Sequence, residues 1–206
     1  KILYNAINTS VYTYSFEKAV TIREKLHVEQ NLVIGHVGRF DAQKNHTFLL
    51  DIFSECVNIV PNARLLLVGD GEGRTQIQEK AKSLGLEEKV IFTGVRNDVA
   101  DLLQAMDVFV FPSLYEGVPV TMIEAQASGL PCVISDGVPK DCVITSGLVT
   151  SMKLSDRPCD WAKHIAAQLN RKRENHLEEI QAAGYDIVTA AKELENFYLK
   201  KYGEES

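Results

Sequence analysis

Short, continuously apolar runs recur along the chain, each followed by glycine, proline or charge and then by a stretch with helical spacing. Residues 32–37, 63–69, 90–92 and 108–111 read as strands of the kind a parallel sheet buries on both faces. Pro112 ends the last of these, because proline cannot donate to a ladder, and Pro131 restarts a strand that closes at Ser135-Asp136-Gly137. Helical patterns fill the gaps. Residues 15–26 start at Ser15 as cap, with Lys18 placed to pair with nearby acids; Asn45 caps a helix to Val57, and another covers 74–84. Asn97 caps a helix to Met106, and Pro119 opens one that Ser128-Gly129 stops. Residues 142–152 give one or two edge strands around Ser146-Gly147. From Asp156 as cap, 161–169 form an amphipathic helix; 171–183 form another, whose K-R-E run reads as a solvated face. After a break at Gly184-Tyr185, Ile187, Ala190, Ala191, Leu194, Phe197 and Tyr198 keep helical spacing in a last helix over 186–202. Strands alternating with helices predict an α/β fold with a doubly wound parallel sheet, its ligand lying over the carboxyl ends of the strands.

Composition narrows the partners. The 206 residues are 45% hydrophobic, enough for one large domain with a full core, and a net charge of −6 disfavours nucleic acid while leaving room for a local basic site. The four cysteines, Cys56, Cys132, Cys142 and Cys159, form no C-x-x-C pair and read as reduced thiols. His27, His36, His46, His164 and His176 do not cluster at metal-ligand spacing, and His36, inside an apolar strand, reads first as a satisfied core histidine and second as a donor contact. No apolar run reaches membrane-spanning length and no secretory signal opens the chain, so a soluble, cytoplasmic protein is expected. Lys1 in place of Met suggests a fragment or processed piece.

Candidate chemistry gathers in two loops. After the first strand, Gly38 lets the backbone turn closely, and Arg39 and Lys44 place two cations beside the strand's carboxyl end, suited to a diphosphate; the bland alternative is a solvated surface pair. Glu116 and Glu124 lie eight positions apart, the first in a loop and the second on a helix otherwise made of Met, Ile and Ala. A carboxylate in such a setting needs a hydroxyl, amide or cation as partner, unless it is simply solvated. The amides of residues 118–122 open that helix, where unpaired N–H groups and the helix dipole attract phosphate. Gly69, Gly71 and Gly73 are spaced G-x-G-x-G and do not follow the first strand, which argues against a dinucleotide loop. Arg96 reads equally as a ligand contact or a surface ion-pair residue, and Asp107 as a cap or turn.

Pro112-Ser113, Glu116-Gly117, Glu124-Ala125, Ala127, Gly129 and Pro131 resemble the E-x7-E stretch of retaining glycosyltransferases of the GT-B fold, family 4, in the branch that builds exopolysaccharide and capsule. The resemblance covers nearly the whole chain but only half of that fold. It implies the Rossmann-like, carboxyl-terminal donor domain: residues 1–14 as interdomain connector, 15–185 as the nucleotide-sugar-binding domain, and 186–206 as a helix crossing to an amino-terminal domain. Asn5-Ala6-Ile7-Asn8 stands where the family commonly has N-G-I/V-D. Arg39 and Lys44 fit the family's G-R-x-x-x-x-K and would hold the donor diphosphate as it leaves. Glu116 would orient the donor sugar, and Glu124 would hold the ribose hydroxyls. Gly38, Gly117, Val118, Pro119, Val120 and Thr121 would complete the cradle, with Val95 and Arg96 beside the base. The implied reaction moves a sugar from a nucleotide sugar, UDP being the expected carrier, to a saccharide or lipid-linked acceptor in bacterial polysaccharide synthesis. No metal or other cofactor is required, and the full enzyme would work at the cytoplasmic face of the membrane; the isolated chain is expected to bind nucleotide weakly and turn over negligibly. The competing readings are a nucleotide-sugar-binding module, a GT-B epimerase without transfer, and a protein-interaction domain. Gly137-Val138-Pro139-Lys140-Asp141 departs from the family's G-G-x-P-E, so donor-sugar specificity does not carry over.

Overall fold

The structure, a computed structural model, describes residues 4–145, 147–168 and 171–202. Its centre is a parallel sheet of β1 (Leu32–Val37), β2 (Ala63–Val68), β3 (Val90–Phe92), β4 (Val108–Phe111), β5 (Cys132–Ser135) and β6 (Val149–Met152). The strand order is β3-β2-β1-β4-β5-β6, so the chain winds outward in one direction from β1 to β3, then returns to β4 and winds the other way. The expected doubly wound sheet is confirmed. Because the order reverses between β1 and β4, the loops leaving these two strands diverge and open a crevice.

Helices cover both faces because the strands are apolar on both. One face packs Ile34, Leu65, Leu67 and Val110 beneath α3 (His46–Ile59), α4 (Arg74–Ser83) and α7 (Pro158–Ala166), which contribute Leu49, Phe53, Ile77 and Trp161. The other packs Val33, Leu66, Val68, Phe109 and Phe111 beneath α2 (Phe16–Leu26), α5 (Val99–Ala105) and α6 (Val120–Ala127). Each large side chain sealed in this way contributes about 1.5–3 kcal/mol. A third cluster of Ile7, Ile123, Ala127, Ile180 and Tyr185 joins the amino-terminal segment, with its short α1 (Thr9–Tyr12), to α6 and α8 (Leu177–Ala182). Ile7 bridges Asp186 just before α9 (Ile187–Tyr202), and the Thr9 hydroxyl donates to Asp186 at 2.7 Å. The amino-terminal segment and the start of the last helix are therefore tied together. No residue of α9 is buried, and Val188, Phe197, Leu199 and Tyr202 lie exposed on it. Among the described residues no helix is long and apolar enough to cross a membrane.

Several local expectations are corrected. Ser15 caps α2, accepting from the Lys18 amide, and Lys18 reaches Asp101 at 3.8 Å, both as expected. Asn45 holds the cap position of α3 in a left-handed conformation (φ 54°), but its amide donates to Pro112 O instead of capping, and α3 runs to Ile59. At α5 the cap position falls to Asp98 rather than Asn97, without a side-chain bond. Pro119 itself is the cap residue of α6; Asp156 accepts from the Lys153 amide instead of capping, Arg157 holds the cap position, and α7 begins at Pro158, before the expected Trp161, and ends at Ala166. Leu169, the expected end of that helix, and Ser146, the expected centre of the edge strands, lie outside the described residues; only Val149–Met152 is strand. Asp107 is no simple turn residue: it accepts from the Val33 amide and pairs with Arg23 at 3.1 Å.

The largest departure is at residues 171–176. They form coil, not helix, and Arg173 points inward, donating to Ser128, Leu103, Gln104 and Met106 carbonyls with its guanidinium 4.6 Å from the Tyr14 ring centroid. Burial draws its pKa down to about 10, so it stays charged at neutral pH. Unmet carbonyls at the ends of α5 and α6 recruit this cation, and a charge pattern alone does not reveal such a demand.

Candidate functional site

The site is assembled from the two loops that diverge at the switch point. The loop after β1 is pressed close to its neighbour: a Cβ on Gly69, which has φ +133°, would stand 2.1 Å from Gly38 O. Only glycine allows that approach. Asp41 accepts from the Lys44 amide and turns the loop, and its far end is held by Asn45 on Pro112 O at 3.1 Å. The loop after β4 docks directly onto it, with the Leu114 amide donating to Gln43 O at 2.8 Å. Beneath the second loop sits Gly137, where a Cβ would meet Leu114 O at 2.3 Å.

These contacts bring Lys44 and Glu116 together. Lys44 Nζ lies 2.6 Å from Glu116 Oε1 and 4.8 Å from the centroid of the Phe111 ring, and Gln43 Nε2 donates to Glu116 Oε2 at 3.0 Å. The pair is largely removed from solvent, the side chains being 16% and 5% exposed, so the attraction is screened less than that of a surface pair. Gly38 adjoins it, since a Cβ there would stand 3.3 Å from the Lys44 stem. Arg39 is not part of this cluster. Its guanidinium makes no hydrogen bond or ion pair among the described residues, and Arg39 borders a hollow of about 690 Å³ on the α4 side, with Phe40, Glu72 and Gly73.

The start of α6 adjoins Glu116. A Cβ on Gly117 would meet nothing within 4 Å, Val118 is exposed, and the cap residue Pro119 leaves the amides of Val120 and Thr121 without a side-chain cap. An uncapped first turn is suited to an anion. One turn further on, Glu124 finds the hydroxyl partner its apolar helix demands: Tyr12 Oη donates to Oε1 at 2.6 Å. Burial raises the Glu124 carboxyl above its usual range, partly opposed by that hydrogen bond, and raises the Tyr12 phenol, with the Glu124 contact adding to the rise. Glu124 also borders a hollow of about 550 Å³ with Tyr12, Asn97, Asp98 and Val99. Val95 and Arg96 sit just before this hollow's Asn97; Val95 is 76% exposed, and Arg96 is paired with Asp98 at 2.5 Å on the surface. The surface ion-pair reading of Arg96 is therefore the one its contacts support.

Sequence reasoning missed Gln43, Tyr12 and the aromatic setting of His36. His36 is fully buried; its Nδ1 meets Val110 O at 2.9 Å, and its ring packs edge-on against His46 at 4.7 Å. Burial lowers both imidazole pKa values, that of His46 to about 4. Nε2 of His36 has no hydrogen-bond partner among the described residues, so His36 is a core histidine only half satisfied.

A doubly wound parallel sheet, with a cation, a buried carboxylate and an open helix start at its switch point, places the chain in the doubly wound α/β class. Residues 31–171 match the family described as Glycosyl transferases group 1, and the chain belongs to that family. It is 42% identical over 170 residues to the putative glycosyltransferase EpsF of Bacillus subtilis, covering 81% of this chain and 44% of that protein. An Escherichia coli protein named UDP-Gal:alpha-D-GlcNAc-diphosphoundecaprenol alpha-1,3-galactosyltransferase is 30% identical over 147 residues, 69% of this chain and 38% of that one. Among solved structures, Anabaena HepE in complex with UDP-glucose superposes with a TM-score of 0.78 at 25% identity, over 97% of this chain and 57% of its own. The chain thus spans less than half the length of the two named relatives.

Proposed function

We propose that this chain is the donor-binding half of a retaining glycosyltransferase that moves a sugar from a UDP-linked donor to a saccharide or lipid-linked acceptor in bacterial polysaccharide synthesis. The observation that carries the reading is the meeting of Lys44, Glu116 and the uncapped start of α6 at the switch point, one helical turn from Glu124 and its hollow. The spacing matches a nucleotide sugar laid along α6. Its diphosphate lies over the amides of Val118, Val120 and Thr121, its ribose hydroxyls reach Glu124, and its base lies toward Val95 and Arg96.

The chemistry then follows from charge. As the bond between the sugar and the diphosphate breaks, negative charge grows on the leaving phosphate, and Lys44 with the α6 dipole offsets it in a partly dry crevice. Arg39, free on the rim, swings to the outer phosphate. Glu116 leaves Lys44 to accept hydrogen bonds from the donor-sugar hydroxyls while Gln43 keeps it in place. Phosphate charge is met by side chains and amides, so the reading gives no role to a metal. An amino-terminal domain supplies the acceptor side, α9 with its exposed apolar face crosses to it, and the complete enzyme works at the cytoplasmic face of the membrane. The activity named for the Escherichia coli relative and the UDP-glucose bound to HepE support the donor class.

Calorimetric titration of the chain with UDP, GDP and ADP tests the site. UDP is expected to bind best, with Lys44→Ala and Glu124→Ala each weakening it about tenfold, which is the loss of one charge-assisted contact. Unchanged affinity in both variants removes the assignment.

A further inference from the structure

On either side of the switch point the ladders run far toward the crevice. The pairing of β1 with β2 continues to Val37↔Val68, and that of β4 with β5 to Phe111↔Ile134, but β1 and β4 last pair at Gly35↔Phe109. Beyond that register the two strands carrying the site loops share no further ladder pair, although Lys44 and Glu116 still meet at 2.6 Å. The loop tips are joined by the Leu114 amide on Gln43 O and by Gln43 on Glu116; between those contacts and the last ladder pair, two side chains cross from the β1 side to the β4 side. His36, the next residue of β1, reaches across to Val110 O, the next carbonyl of β4 after the last pair. A carbonyl only accepts, so Nδ1 carries the proton, and Nε2 faces the loop base, 2.9 Å from where a Gly38 Cβ would stand. At the loop's other end Asn45, in a left-handed conformation that leaves its amide unused as a helix cap, donates to Pro112 O.

We infer that His36 and Asn45 are positioning residues: their two cross-crevice hydrogen bonds replace the missing ladder between β1 and β4 and set the spacing between Lys44 and Glu116. The inference deepens the donor-site reading, since that spacing decides whether a diphosphate and a sugar are gripped together. A merely structural role would lower stability without touching the Lys44–Glu116 interaction. A strut, when removed, uncouples the two.

The test is a double-mutant cycle read by urea unfolding, using Lys44→Ala, Glu116→Ala and the double variant, repeated in the His36→Leu, His36→Asn and Asn45→Gly backgrounds. In the native background the coupling is expected to be about thirtyfold in the unfolding equilibrium constant. His36→Asn places an amide nitrogen near the position of Nδ1 and should retain it. Both His36→Leu and Asn45→Gly should bring it to about twofold or less, and Asn45→Gly does so while keeping the left-handed backbone. UDP affinity measured on the same proteins should follow the same order, about tenfold weaker without a strut. Coupling that stays near thirtyfold in Asn45→Gly and in folded His36→Leu overturns the inference; if His36→Leu does not fold, Asn45→Gly decides alone. Coupling that collapses as expected in a protein that binds no UDP in any background leaves the struts standing and removes the donor-site reading.

Discussion

Lys44 and Glu116 meet at 2.6 Å across the crevice, each carried by a loop from a different side of the switch point. The two groups assigned to the donor neutralise one another. Removing only Lys44 leaves a mostly buried carboxylate with Gln43 as its remaining donor, so Lys44→Ala should cost about 2–3 kcal/mol of stability. Adding Glu116→Ala removes the orphaned charge and should restore most of that loss. It should not restore UDP affinity. Urea unfolding and calorimetry on the two variants separate a pair that serves folding from one that serves the donor, and recovery of both properties together would refute the assigned role of Lys44.

Glu124 yields a pH prediction and a ligand prediction. Burial raises its folded carboxyl above the ordinary value of 4.5, so between those two values the folded chain binds the extra proton. The stability contributed by this group is fully present below the ordinary value and is lost as pH rises through the raised one. The stability difference between wild type and Glu124→Gln should therefore fall as pH rises above the ordinary value of 4.5. If Glu124 grips the ribose, the same variant should weaken UDP about tenfold and leave inorganic pyrophosphate unchanged. Equal losses for both ligands would move Glu124 to the phosphate side.

Gly69 and Gly85 make a matched pair for the close approach of the two inner loops. Both have positive φ, +133° and +68°, but a Cβ on Gly85 meets nothing within 4 Å, whereas one on Gly69 runs into the Gly38 carbonyl. Gly85→Ala should cost about 1 kcal/mol from backbone conformation alone. Gly69→Ala adds a backbone clash that no side chain can relieve, and about 3 kcal/mol or more is expected, with weakened UDP binding because the Lys44 loop moves. Equal costs in thermal or urea unfolding would show that the loops are free to separate.

What was legible in the sequence was local. The apolar runs gave the strands, and the glycine, proline and charge that follow them gave both site loops, because a strand's end and its turn chemistry are written in neighbouring residues. Tyr12 on Glu124 and Gln43 on Glu116 were not legible, since the partners stand 112 and 73 positions apart and only the winding of the sheet brings them together. The demand for a partner at Glu124 could be read from its apolar helix, whereas the identity of that partner could not. Arg39 and Lys44 were paired because they share a loop; the structure turns Lys44 toward Glu116 and leaves Arg39 on the rim. The expected caps at Asn45, Asn97 and Asp156 fail because residue type marks a helix start only to within a residue or two, and at Asn45 a tertiary hydrogen bond to Pro112 O takes the side chain.

Arg173 was hidden in a charge run, and its geometry assigns it to holding two helix ends together. Nη1 donates to Ser128 O at the end of α6 and Nη2 to Leu103 O in the last turn of α5, where the backbone has no partners of its own. Those helix ends also fix where α5 and α6 begin, and with them Asp98 and Val120 at the crevice. Arg173→Met keeps much of the apolar stem but orphans the carbonyls, and should cost about 2–4 kcal/mol in urea unfolding. Arg173→Lys should recover only part, because a single ammonium lacks the planar fork that reaches both ends at once. Lys172→Ala next to it is an exposed change, expected within about 0.5 kcal/mol of wild type. If Arg173→Met matched Lys172→Ala, the carbonyls would have to be content with water, and the coil at 171–176 would lose its reason for displacing the helix that the charge pattern predicts.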